Sequence, residues 1–347
     1  MTLDAPLERS TISMQLVPFE DRHIIPWQQA IDRTGISPGP TSGPEYGSSM
    51  DVSWKNTFIF TAGDLFMPFS LRKSNQFRVI PTPNYAGAQI NSLLGVREID
   101  SSVFDRLALL PKGCVITLQL PLEIYSEHQR DFELLNFERQ SAFDYHMIPL
   151  RNSYDEWFNR KAVERRFIRK AERENVEIRF GKGETLPIFY EVYQHSVQRW
   201  RKTDPRASFH RLDRMARLFS YPVNRIEIAL AYYHDTPIAG AIFGQYDETG
   251  AYLFGGFNYE FQHLRAMYLV HATIIRRMTE AGLRFYSHGL SLGRKSLEHF
   301  KESLGAERRP AVVISRHRFP RLKRILVATR VLPAAASGDA ASGHDSI

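Results

Sequence analysis

Three groups of residues have types and spacings suited to chemistry: adjacent glycines in a strand-like run, a histidine beside a serine and a glycine, and arginines one helical turn apart. Gly255 and Gly256 lie in AYLFGGFN, where glycine is costly unless the strand bulges or something must approach its backbone closely. Ser287, His288 and Gly289 follow in another strand-like run. An imidazole there titrates near neutrality and can serve as a base, although adjacent strand residues point to opposite faces, so only one of Ser287 and His288 can face a cleft. Arg165, Arg169 and Arg173 recur at i, i+4. Their planar forks suit phosphate, while Glu164 and Glu172 partly offset them, as on a solvated helix face. No HxxxH or HExxH spacing and no phosphate loop or dinucleotide fingerprint occurs, so no metal site is expected. The single cysteine, Cys114, cannot form an internal disulfide, and its setting in GCVITLQL reads as a buried strand thiol.

The elements that must position these residues run from Arg225 to Ile314. IEIALAYY alternates at the period of a strand, HDTP turns, PIAGAIFGQY returns, DETG turns again, and AYLFGGFN is a third strand. Beyond Asn258 the period changes: Met267, Val270, Ile274 and Met278 recur at helical spacing until Gly282 stops them. LRFYSH reads as a strand, RKSLEHFKESLG as a helix with Leu297, Phe300 and Leu304 on one face and Gly305 at its end, and RPAVVISR as a closing strand.

Upstream, LPIFYEVYQHSVQRWRK and SFHRLDRMARLFS read as two helices, with Tyr190, Tyr193 and Trp200 as core aromatics or as the lining of a cleft, and His195 and His210 as packed histidines or cleft residues. YDEWFNRKAVERRFIRKAEREN reads as one amphipathic helix, and FDYHMIPL and CVITLQLPL as strands with a solvated connection between them. HIIPWQQAIDRTG and SSVFDRLALLPKG read as helices, SPGPTSGPEYGSS as a connecting loop, and WKNTFIFTAGDLFMPFSLRK as a hairpin. QFRVIPTPNYAG ends in turns shaped by Pro81, Pro83 and Gly87. RHRFPRLKRILVATR is a short basic amphipathic helix, able to pack on the domain or to touch an anionic membrane or RNA across 316–330.

At 347 residues, with 43% hydrophobic and 24% charged side chains, the chain has room for two globular domains. Its net charge of +7 favours an anionic ligand without choosing among a nucleotide, a CoA-type pyrophosphate, tRNA and anionic lipid. No run is long and apolar enough for a membrane span, and MTLDAPLERSTIS lacks an export signal's pattern, so the expected location is cytoplasmic.

The run from YYHDTPIAGAIF through YLFGGFNYEFQHLRAMYLVHATI to FKESLGAE resembles the C-terminal half of the Fem-type peptidyltransferases, a branch of the GNAT N-acyltransferase superfamily. FDYHMIPLRNSYDEWF and RRFIRKAERENVEIRF extend the resemblance upstream, and LFMPFSLRK and VIPTPNYAG are more loosely similar to the family's first domain. The resemblance implies an α+β fold of two GNAT-like units, a pseudo-repeat with mixed, mostly antiparallel sheets flanked by helices. It divides the chain into a leader (1–20), an N-terminal unit (21–148), a C-terminal acyltransferase unit (149–330) and a disordered tail (331–347).

The resemblance also implies amide-forming acyl transfer, which needs an oxyanion donor, a proton route and an anion site for the donor. Lys301 falls on the family's Phe-Lys…Gly signature and is a candidate for stabilising an oxyanion or binding a phosphate; alone it would be a solvent-facing helix lysine. A backbone N–H at Gly255 and Gly256 is a second candidate. His288 is the candidate base, because Ser287 stands where relatives often carry an acidic residue; Tyr268 and Glu298 follow it. Donor phosphates are expected at the start of the crossover helix, at Gln262, Arg265, Ala266 and Tyr268. There Arg265 and Met267 replace the glycine and small residue of the acyl-CoA-binding pattern. Arg78, Asn84 and Tyr85 are acceptor candidates from the first domain beside their reading as turn residues, and Arg165 and Arg169 are acceptor candidates through phosphate.

No tightly bound cofactor is implied; acyl-CoA or aminoacyl-tRNA would be the co-substrate, and the partner a small-molecule or nucleotide-linked amine, with tRNA a further candidate. The resulting expectation is an N-acyltransferase transferring an acetyl, other acyl or aminoacyl group in cell-envelope, polysaccharide or specialised-metabolite assembly. Two alternatives stand beside it: an aminoacyl-tRNA-dependent peptidyltransferase on a peptidoglycan-like precursor, and a catalytically silent module that binds a glycan or nucleotide sugar.

Overall fold

The computed structural model describes residues 116–316 apart from breaks at 151–152, 204–208, 220–225, 247 and 292–293, with four earlier strands and residues 22, 25, 104 and 108. The readings for 37–49, Arg78, Cys114, 317–330 and the tail lie outside these residues, as do those for 23–35 and 101–113 apart from Ile25, Phe104 and Ala108, which are helical; the leader 1–20 is corrected, since it holds a strand at Gln15–Pro18. The backbone of β1 (Gln15–Pro18), β2 (Thr57–Ala62), β3 (Leu65–Lys73) and β4 (Pro81–Tyr85) forms an antiparallel sheet in sequence order. The turn reading of PTPNY is corrected: it is a strand, with Asn84 opposite Ser70 and Tyr85 opposite Phe69. Pro81 and Pro83 are tolerated because β4 is the last strand of its sheet, where a missing N–H faces no partner.

The second sheet has eight strands: β5 (Ile116–Pro121), β6 (Phe137–Pro149), β7 (Glu177–Gly181), β8 (Ile226–Tyr233), β9 (Thr236–Tyr246), β10 (Thr249–Phe257), β11 (Phe285–Leu290) and β12 (Glu307–Arg316). Their order is β5-β12-β6-β11-β10-β9-β8-β7, and only β10 and β11 pair in parallel. The sheet thus draws strands from both sides of residue 149, and β6 starts well before the expected FDYHMIPL. The segment between β5 and β6 is not merely a solvated connection. It forms α1 (Leu122–Glu127) and α2 (Gln129–Leu134), which bury Ile124, Tyr125 and Phe132.

Both faces of β8 are covered. Ile226, Ile228 and Leu230 join Phe189, Tyr193 and Val197 of α5 (Leu186–Thr203) on one side. Ala229 and Ala231 face the cluster that contains Val270, Ile274 and Met278 of α7 (Ala266–Glu280) on the other. The small alanines let α7 lie close to the sheet.

The expected amphipathic helix from Tyr154 is two helices, α3 (Tyr154–Phe158) and α4 (Arg165–Arg173). The chain between them is tied down by the end of α8 (Lys295–Ser303). Trp157 Nε1 donates to the Leu304 carbonyl at 3.0 Å, Arg160 Nη1 to the Gly305 carbonyl at 3.1 Å, and the Glu164 N–H to the Ser303 carbonyl at 2.8 Å. The Glu164 N–H is thereby taken out of any continuous helix, Val163 forms a bridge with Leu304, and the two side chains anchor the turn that replaces it. The helix expected in SFHRLDRMARLFS is likewise only α6 (Leu212–Ala216) followed by one 3₁₀ turn.

Candidate active site

The parallel pairing of β10 with β11 lasts only from Thr249–Ala251 against Phe285–Ser287. Beyond it each strand carries a bulge, between Tyr252 and Phe254 in β10 and between Ser287 and Gly289 in β11, where Gly289 has φ 61°. Bulges bend strands and raise their twist, so the two strands part. A cavity of about 720 Å³ lies along the end of β10 that β11 leaves unpaired. Its walls come from Ser196, Arg199 and Trp200 on α5, from the end of β10, and from α7 and α8. Because α5 and α7 lie on opposite faces of the sheet and both line the cavity, it reaches around the free end of β10 rather than lying on one surface.

The backbone of β10 is arranged around Ser196. The Phe257 N–H donates to Ser196 Oγ at 2.9 Å, and the same hydroxyl donates to the Phe257 carbonyl at 3.2 Å. The Asn258 N–H turns the other way, to the Ile238 carbonyl at 2.8 Å. Backbone groups alternate between the edges of a strand, so Gly255, two residues before Phe257, presents its N–H and C=O to the opening. Ser196→Ala is expected to leave both Phe257 groups unpaired and to cost about 1–3 kcal/mol, measurable as a lower urea midpoint. An unchanged midpoint would show that the hydroxyl is dispensable.

Neither glycine needs a ligand to explain it. A Cβ on Gly256 would lie 2.7 Å from the Tyr193 Cα, so glycine is what lets α5 rest on β10, and a Cβ on Gly255 would collide with the Tyr252 hydroxyl.

The start of α7 is the second wall. Asn258 Oδ1 caps a 3₁₀ turn, Tyr259–Leu264, and Arg265 then adopts the left-handed conformation, φ 59° and ψ 26°. That conformation costs a non-glycine residue about 1–2 kcal/mol. Arg265 stands where glycine was expected and reproduces the turn glycine would make. No side chain caps α7, and among the described residues the Ala266 and Met267 N–H groups have no hydrogen-bond acceptor. Free helix N–H groups facing a cavity attract anions.

The charge of the wall has one sign. Arg199, Arg265, Arg294 and His299 line the cavity, and among the described residues that line it none is an aspartate or glutamate. The Arg199 guanidinium lies over Phe257 at 4.5 Å and Tyr259 at 5.5 Å, half-buried, and burial lowers its pKa. The Arg265 guanidinium lies 4.7 Å over Phe167.

Residues 159–302 match the model of the acetyltransferase (GNAT) domain. FemX has the same fold, with a TM-score of 0.66 at 11% identity over 91% of this chain and 99% of its own. Residues 159–302 of this chain form a GNAT acetyltransferase domain. The L-PGS structure from Bacillus licheniformis gives a TM-score of 0.54 at 13% identity, covering 91% of this chain and 97% of that one. The C-terminal domain of a putative lysylphosphatidylglycerol synthetase from Agrobacterium fabrum gives 0.52 at 10% identity, over 91% and 98%. At these identities the likeness is one of fold. No curated protein matches the sequence.

Within this GNAT domain the cavity gathers Gly255, Gly256, Gln262, Arg265, Ala266 and Tyr268. Lys301 and His288 are not in its wall, so direct contact of either with a ligand there is corrected. Lys301 is 2% exposed and donates to the Leu290 and Gly289 carbonyls at 2.6 and 3.2 Å. It braces β11 just past the bulge, and burial pushes its amine down to about 7. His288 is 1% exposed among Tyr252, His271 and Tyr286, and burial holds it neutral. Ser287 does not line the cavity either; its hydroxyl accepts from the Gly289 N–H at 3.4 Å.

Arg165 and Arg169 lie outside the wall, one donating to Asn159 Oδ1 at 3.2 Å and the other 5.6 Å over Phe158. Trp200 packs against the core on the α5 side and also lines the cavity, whereas Tyr190 and Tyr193 do not line it. Tyr193 is buried, His210 packs on Phe254 at 4.7 Å, and His195 is exposed. The spacing i, i+3, i+4 of Ser196, Arg199 and Trp200 was the available signal for this wall. Nothing comparable marked Tyr252, Arg294 or His299.

Proposed function

We propose that this protein is an N-acyltransferase that moves an acyl group from an acyl-CoA thioester to an amine, in cell-envelope, polysaccharide or specialised-metabolite assembly. One observation carries the reading: a cavity lined by arginines, with no acid among its described residues, lies along the unpaired end of β10 at the uncapped start of α7. Such a wall suits the phosphates of the donor, held by Arg199, Arg265 and the Ala266 and Met267 amides. The thioester carbonyl then lies along the open edge of β10. There the Gly255 N–H is placed to take the negative charge that develops when the amine attacks.

The turn at Arg265 supports a CoA donor despite the missing glycine, because the backbone keeps the left-handed geometry. The open volume of the cavity favours an enzyme over a silent binding module. Aminoacyl-tRNA is the alternative donor, and for it the amide formed would be a peptide bond.

The test is saturable binding of acetyl-CoA and, in parallel, of aminoacyl-tRNA at fixed salt. Arg199→Ala is expected to weaken acetyl-CoA binding about tenfold or more, the size of a lost charged hydrogen bond. Tight binding of aminoacyl-tRNA alone would change the donor, and silence toward both would sink the acyltransferase reading.

A further inference from the structure

Forming an amide releases one proton from the attacking nitrogen, yet among the described residues the cavity wall holds no carboxylate to receive it. Behind the wall lies a group of polar side chains that no step so far uses. Tyr252 lines the cavity and packs against His271 and His288, with ring centroids 4.9 and 5.7 Å apart; the two imidazoles are 4.7 Å from each other. His146 stands opposite Gly289 in the pairing of β6 with β11, next to His288. Its Nδ1 is 3.2 Å from Ser291 Oγ and its Nε2 is 4.0 Å from Glu302, whose side chain is 39% exposed.

His146, His271 and His288 are each at most 1% exposed, and four of their ring nitrogens have no hydrogen-bond partner: His146 Nε2, His271 Nε2 and both nitrogens of His288. Buried polar atoms are paired in the great majority of cases. Contiguous imidazoles with unused nitrogens are what internal water binds, and an imidazole can accept a proton on one nitrogen while releasing another from the second.

Resting on the acyltransfer reading, we propose that the amine's proton leaves through a relay that starts at the Tyr252 hydroxyl and runs through His271, His288 and His146 to Glu302 at the surface. As the nitrogen's electron pair forms the C–N bond, the carbonyl–sulfur bond breaks and its pair departs with the thiolate. The N–H proton passes to the Tyr252 oxygen while the Tyr252 proton moves inward, and the last imidazole releases one proton to Glu302 and solvent. The thiolate takes a proton from solvent, so the protein ends unchanged. The charged and titratable groups facing the relay are Lys301, Glu298 and Glu302 from α8, Arg308 from β12 and Tyr286 from β11. Burial and the neighbouring Lys301 keep His271 and His288 neutral, which suits passing a proton on rather than storing it.

The test uses the whole chain, acetyl-CoA and two amines, glycinamide and glucosamine, in mixtures of H₂O and D₂O. Tyr252→Phe is expected to lower kcat on the order of 10²-fold, with KM for acetyl-CoA held and the curved dependence on deuterium fraction made linear. Glu302→Gln, at the exposed end, keeps the side chain's volume while weakening its ion pair with Arg308, and is expected to lower kcat several-fold with a larger solvent isotope effect. Both variants turning over at the wild-type rate with unaltered isotope effects would overturn the relay and leave the proton to His299.

A second measurement needs no turnover. In ring-¹⁵N-histidine protein, the His271 and His288 N–H protons are expected to exchange with water within milliseconds, and more slowly in Tyr252→Phe. Protection for hours, or rates indifferent to Tyr252, would overturn the relay. Absence of any amide from the wild-type protein would count against the acyltransfer reading, and the exchange rates would still decide the path.

Discussion

Trp157→Ala is expected to cost about 3–5 kcal/mol of stability, the range for deleting a fully buried large aromatic. The indole is completely buried and also hydrogen-bonds the Leu304 carbonyl, so truncation leaves both a void and an unpaired acceptor. The consequence reaches the cavity because α8, which ends beside Leu304, supplies Ser296, Leu297, His299 and Phe300 to its wall. The variant should therefore bind acetyl-CoA more weakly even at temperatures where it stays folded. Trp157→Phe keeps most of the volume and loses chiefly the hydrogen bond, so its cost should be nearer 1 kcal/mol. Equal denaturation midpoints for the two variants would refute this division between packing and hydrogen bonding.

The second large effect is a dependence of stability on pH centred on Lys301. In the unfolded chain its amine binds a proton below 10.5, but in the fold only below about 7. Between these values the unfolded state holds more protons, so stability rises with pH. The favourable contribution is complete above 10.5, is lost as pH falls toward 7, and is constant below that. The slope contributed is about 1.4 kcal/mol per pH unit at most.

Lys301→Met is expected to flatten the urea-measured stability between pH 7.5 and 9.5. It also removes the donor that Gly289 and Leu290 share, so the variant should be weaker than wild type at the alkaline end. A slope identical to the wild type's would mean that the amine keeps an ordinary pKa. On the acid side His271 and His288, both depressed below 6.5 by burial, act with the same sign, so stability should fall further below pH 6.5.

Local patterns were the legible part of the fold. The alternation of Ile226, Ile228 and Leu230 and the helical recurrence of Val270, Ile274 and Met278 appear as β8 and α7, and Gly282 and Gly305 take the positive φ, 80° and 81°, expected past a helix end. What eluded reading was set by distant partners. The break between α3 and α4 depends on Leu304 and Gly305, more than a hundred residues away. The strand at Pro81–Tyr85 depends on being an edge.

The candidate site divides in the same way. Gly255, Gly256 and the start of α7 were visible because strand glycines and helix starts have local signatures. Arg199, Tyr252 and His299 were not, because an arginine on a helix or a tyrosine in a strand looks alike in core, wall and solvent. Lys301 shows the limit of a signature: the residue was found, and its burial against two carbonyls was not.

The place of β12 bears on how the chain is made. It is inserted between β5 and β6, strands that precede it by about 160 residues or more, and it pairs with both. At a synthesis rate of about 5–20 residues per second, β5 and β6 leave the ribosome roughly 10–30 seconds before the strand that joins them. Through that interval their facing edges are open to any other extended segment. Nascent chains stopped short of Arg316 should accordingly be prone to association and dependent on chaperones, and release of the last strand should end that exposure.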